Sequence, residues 1–96
     1  MKQFIVTAWD GSDAEALDRR MAARPRHFVR ARELKANGNF LFGGAMLNDE
    51  GKMIGSTMIL QFEHEEGLQG WLDTEPYITE HVWKKIEVRP FRVADV

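Results

Sequence analysis

The chain has no cysteine, which excludes a disulfide scaffold, a thiolate nucleophile and a zinc site built on thiolates. That usage agrees with a reducing cytoplasm, the expected location. No apolar run approaches the ~20 residues that span a bilayer, and MKQFIVTAW at the start holds too short an apolar run for a signal peptide. The formal net charge is only −2, so no overall field draws the protein to nucleic acid. There is no nucleophile elbow, phosphate-binding loop or dinucleotide fingerprint. His64 in FEHEEG and His81 in TEHVW have no metal-ligand spacing to another His or Asp on one helical face. Neither a metal nor a cofactor is therefore expected, and nucleic acid and membrane are not expected partners. Internal repeats, low-complexity tracts and linkers are also missing.

What is there reads as one soluble globular domain spanning residues 1–96, with 44% hydrophobic and 29% charged residues. At this length folding removes roughly 60–70% of the unfolded chain's surface from water. Such a chain folds unaided only narrowly, and self-association would help it.

The elements come in a simple order. KQFIVTAW (2–9) is β-branched and aromatic, as a strand should be. DGSD (10–13) is a turn with Ser12 or Asp13 as a helix cap. A helix is predicted from about 13 to 23, and a second from Pro25 to about Asn37, closed by Gly38. NFLFGGAML (39–47) and MIGSTMILQF (53–62) are strands joined by a turn at 48–52. A helix at 64–73, a helical turn after Pro76 and an edge strand at 83–93 containing Pro90 complete the chain. The order βα(α)ββαβ predicts a ferredoxin-like α+β fold: a four-stranded antiparallel sheet with helices on one face. Ile5, Trp9, Phe42 and Met58 are candidates for the other face. An apolar face of that size usually meets a partner, and two such sheets facing each other would make a dimeric barrel.

The second helix carries the candidate chemistry. Arg24, His27, Phe28, Ala31 and Leu34 fall on one inward stripe, and Arg26, Arg30 and Glu33 on the outside. Placed in the first turn after Pro25, His27 would feel burial and the positive end of the helix dipole, both of which disfavour imidazolium. A neutral imidazole is what a general base requires. A buried histidine satisfied by a backbone carbonyl also fits the same position, and the residues alone favour it. An acidic partner would fix the tautomer of such a base, and Asp73 and Glu75 in WLDTEPY are placed to supply it, though both also read as ordinary loop residues. Gly43 and Gly44 inside a strand mark a bulge or the close approach of a ligand. Six arginines lie between 19 and 32, interspersed with acids, and read as a solvated face. Arg24 is the exception, because it points inward beside His27 and could anchor an anion.

Taken together, ARPRHFVR, ANGNFLFGGAM, GSTMILQF, WLDTEPY and IEVRPF resemble the YCII-related family in order and spacing over nearly the whole chain. The resemblance implies a ferredoxin-like, dimeric α/β-barrel fold, related to barrels that include muconolactone isomerase. It also implies an active site built from a histidine and an aspartate. His27 matches the histidine. The family's aspartate stands directly before a Pro-Tyr or Pro-Phe pair, and here that position is Glu75. This is a departure from the pattern.

The expectation is a small enzyme that needs no cofactor, with His27 as general acid or base and Glu75 as its orienting partner. It would move a proton during isomerisation or elimination on a small oxygenated or cyclic substrate. Arg24, Gly43, Gly44, Ser56, Asp73 and Tyr77 would bind that substrate, and the protein would be a homodimer. The alternative is a non-catalytic ligand-binding or oligomerisation module in which His27 is structural.

Overall fold

The computed structural model describes all 96 residues. Its elements are β1 (Lys2–Asp10), α1 (Ala16–Ala36), β2 (Phe40–Leu47), β3 (Met53–Phe62), α2 (Glu65–Thr74), α3 (Pro76–Thr79) and β4 (Trp83–Phe91). The strands form one antiparallel sheet in the order β2-β3-β1-β4. The helices lie on one face, so the architecture is ferredoxin-like α+β. No helix is long and apolar enough to cross a membrane.

Strand alternation builds the core. Phe4, Val6 and Ala8 of β1 stand opposite Leu60, Met58 and Ser56 of β3, and all six side chains turn toward the helices and are buried. Trp71 from α2, Tyr77 from α3 and Trp83 at the head of β4 close over them. Pro90 sits on the edge strand β4, where its missing N–H breaks no inner ladder.

Two expectations are corrected. Met58 does not face the open side of the sheet. It pairs with Val6 and Gly43 and is buried against the helices, and its neighbour Ile59 alternates outward instead. The open face carries the cross-strand row Phe42, Ile59, Ile5, Arg89 and the row Met46, Gly55, Trp9, Lys85. A bulge at Leu41 turns Phe42 to that side.

The second correction concerns α1, which is one helix of 21 residues with Pro25 inside it. Its buried residues Ala16, Arg20, Ala23, His27 and Leu34 continue one stripe straight through the proline. Pro25 is exposed, as is Met21, the residue whose carbonyl it deprives of a helical partner. Packing on the buried stripe therefore outweighs the local break. Neither Ser12 nor Asp13 caps the helix; Asp13 instead accepts from the Arg19 guanidinium at 2.7 and 3.2 Å. His27 is thus in the helix interior, not in a first turn, and the dipole argument for a neutral imidazole no longer applies.

Candidate active site

Between α1 and the β2–β3 half of the sheet lies a cavity of about 170 Å³. Arg20, Arg24, His27 and Phe28 line it from α1, Gly43 and Gly44 from β2, and Ser56 and Met58 from β3. The floor is open because Ser56 is flanked across the strands by Ala8 and Ala45. Gly43 is dictated by packing: a Cβ there would press on Met58 Cγ and the Thr57 carbonyl at 3.0 Å. Gly44 has no such neighbour.

His27 is 8% exposed and its Nδ1 hydrogen-bonds Glu75 Oε1. Glu75 arrives there for a local reason. It precedes Pro76, which disfavours the helical region, so it takes φ −64° and ψ 122° and ends α2. The same residue caps α3, its Oε1 accepting from the Tyr77 backbone N–H at 3.2 Å. Its side chain is thereby sent back across α1 and is 1% exposed. A carboxylate only accepts, so the shared proton belongs to Nδ1. In the neutral imidazole Nε2 carries the lone pair; it hydrogen-bonds no protein group, and the ring borders the cavity.

Tyr77 does not line the cavity. It stacks on His27 with ring centroids 3.9 Å apart and planes 11° from parallel. Burial pushes its phenol pKa up. The Arg20 guanidinium lies 4.8 Å from the centre of the Tyr77 ring. Arg20 Nη1 donates to both carboxylate oxygens of Asp10, at 3.1 and 3.2 Å, and Nη2 donates to Ser56 Oγ at 2.8 Å. Burial raises the Asp10 pKa, and the charge and hydrogen bonds of Arg20 pull against that rise.

Arg24 reaches the cavity with its guanidinium 4.6 Å from the Phe28 ring centre and joins no ion pair. Asp73 lies elsewhere. Because α2 continues through Thr74, Asp73 sits on its outer side, exposed, and accepts from Gln69 Nε2 at 2.8 Å. The structure therefore brings His27, Glu75, Tyr77, Arg24, Ser56, Gly43 and Gly44 together and leaves Asp73 out. Arg20 and Asp10 were missed. Arg20 precedes His27 by seven residues and shares its helix face, a signal hidden once Pro25 is read as the start of a new helix. Asp10, the last residue of β1, reads as part of a turn.

The YCII-related domain matches residues 3–92. Protein YciI of Escherichia coli is 35% identical over 95 residues, covering 93% of this chain and 95% of its own. An uncharacterized protein of Haemophilus influenzae is 32% identical over 95 residues, with the same coverage of 93% and 95%. Among solved structures, a 5-chloro-2-hydroxyhydroquinone dehydrochlorinase from Burkholderia phenoliruptrix, in complex with 2,5-dihydroxybenzoquinone, superposes with a TM-score of 0.81 at 20% identity, covering 96% of this chain and 95% of that one. A dimeric ferredoxin-like protein of unknown function from Jannaschia superposes at 0.60 and 15% identity, covering 97% and 100%. At such identities the solved structures speak to the fold.

Proposed function

The chain belongs to the YCII-related family, and from the His27–Glu75 pair at its cavity we propose a cofactor-free enzyme that moves a proton on a small cyclic, oxygenated substrate. That pair is the observation that carries the reading. The cavity, about 170 Å³, is close to the ~150 Å³ that holds one benzene ring. A single six-membered ring is the size it suits. Arg24 offers a positive charge with no internal counter-ion, suited to an oxygen that is or becomes anionic.

In the proposed step Nε2 of His27 takes a proton from a saturated ring carbon, alpha to a carbonyl and next to the carbon that bears the leaving group, as in the diketo tautomer of a chlorinated hydroquinone. The electron pair left behind forms a double bond, and the leaving group departs with its own electrons. Glu75 holds Nδ1–H and stabilises the imidazolium that forms. Returning the proton at another atom would give isomerisation. The dehydrochlorinase of like fold makes chloride elimination from a chlorinated hydroquinone the first reaction to assay. The longer Glu75 in place of the family's aspartate still reaches His27, which supports a working pair.

Chloride release and solvent-deuterium uptake by hydroxylated rings test this directly. Turnover is expected to fall roughly 10²–10⁴-fold in His27→Gln and in Glu75→Gln. A folded His27→Gln variant as fast as the parent would end the proposal.

The open sheet face supports self-association. It presents Ile5, Trp9 and Phe42 around the buried Ile59, and only 20 of 96 residues are buried within one chain, so a second copy would add substantially to a modest core.

A further inference from the structure

We infer that Ser56 is a hydrogen-bond donor to a substrate oxygen, aimed by Arg20, and that Asp10 is the positioning residue that fixes Arg20 for this task. The inference rests on reading the cavity as a proton-transfer site and assigns a role to a polar cluster that the His27–Glu75 pair does not use.

A guanidinium has only donors. Ser56 Oγ must therefore accept from Arg20 Nη2 at 2.8 Å, and the serine proton has to point elsewhere. No protein acceptor takes it, although Ser56 is only 3% exposed. Its flanking residues on the same sheet face are Ala8 and Ala45, which are too small to cover it. The space that remains is the cavity shared with His27.

Arg20 is held to this geometry through its two terminal nitrogens and an aromatic ring, while Nε is buried without a partner. Nη1 bonds both oxygens of Asp10, and the Tyr77 ring lies against the guanidinium. The two charged side chains are 4% and 2% exposed. Asp10 neutralises Arg20 locally, so the cluster presents a polarised hydroxyl to the cavity rather than a net charge. Arg24 supplies the net charge. A hydroxyl that already accepts from a cation is a stronger donor, and a fixed donor beside the base is placed to meet charge growing on a substrate oxygen as the proton leaves. A buried ion pair is weak evidence for stability, because apolar residues can often replace it without loss. One that also spends an N–H on a cavity-lining serine has a role in the site.

The test uses 4-nitrophenolate, a one-ring oxyanion whose visible absorbance reports its ionisation, and nitrobenzene, which has the same ring but no phenolic oxygen. Ser56→Ala is expected to weaken 4-nitrophenolate binding roughly tenfold or more and to leave nitrobenzene within about twofold. Asp10→Asn is expected to weaken the phenolate in the parent but to add little in the Ser56→Ala background, whereas a merely structural Asp10 would weaken both equally. Ser56→Thr, which restores the hydroxyl, should rescue binding. Unchanged phenolate affinity in Ser56→Ala overturns the donor role, and equal losses in both backgrounds overturn the positioning role. Should Asp10→Asn fail to fold by circular dichroism, the alanine and threonine variants still decide the donor. These results are separable from the proton-transfer reading. A parent that binds the phenolate through Ser56 but loses no turnover in His27→Gln would fail that reading alone, and a parent that binds neither probe overturns both.

Discussion

The imidazole of His27 and the ring of Tyr77 lie face to face, 3.9 Å between centroids and 11° from parallel. Glu75 binds both residues, His27 through Nδ1 and Tyr77 through its backbone N–H. The stack fixes the plane of the imidazole, and the carboxylate fixes its rotation in that plane. The base is held by a short segment that starts at the stop between two helices, which explains why one residue, Glu75, both caps α3 and orients His27.

Tyr77 is the chain's single tyrosine, so its ionisation can be read without ambiguity from tyrosinate absorbance. Burial raises its pKa, and the midpoint is expected above the ordinary value of about 10. The sign follows from linkage. The folded state holds this proton more tightly than the unfolded chain, so the contribution to stability is complete below the ordinary value and is lost as pH rises through the folded one. Unfolding in alkali should therefore coincide with the absorbance change.

Removing Arg20 would leave Asp10, 2% exposed, as an unpaired buried charge. Arg20→Met is expected to destabilise the fold by about 3–5 kcal/mol at neutral pH in denaturant titrations. Burial already raises the Asp10 pKa, and Arg20 opposes that rise. Without Arg20 the carboxyl protonates more readily still, so the penalty should shrink as pH falls through the folded value. A loss independent of pH would show that the charge is not its cause.

Phe42, 59% exposed, stands on the open face beside Ile59 and Ile5. If two copies pair through that face, Phe42→Lys should give a folded monomer by sedimentation, with the parent a dimer. A parent that sediments as a monomer would remove the interface from the proposal.

Much of the fold was legible because alternation and turn chemistry agree with tertiary packing. The strand read at 53–62 is the strand observed, and the stop before Pro76 is where two short helices meet. The helix around Pro25 was not legible, since the local rule for proline was outweighed by a buried stripe running from Ala16 to Leu34. That misreading gave His27 a dipole it does not feel and concealed Arg20. Alternation sets two faces without saying which one the helices cover, so it leaves the face of Met58 open. Gly55 is more tightly confined than either glycine of the pair at 43–44: a Cβ there would collide with the Ala8 carbonyl, a constraint visible only once β1 and β3 are paired.

The most direct test of the His27–Glu75 pair is ¹⁵N–¹H spectroscopy of the imidazole, assigned with His27→Gln. The expected result is a proton on Nδ1 far downfield, an unprotonated Nε2, and an upfield move of that proton in Glu75→Gln, where an amide oxygen accepts less strongly. A proton resident on Nε2 of the parent, or a spectrum indifferent to Glu75→Gln, would contradict it.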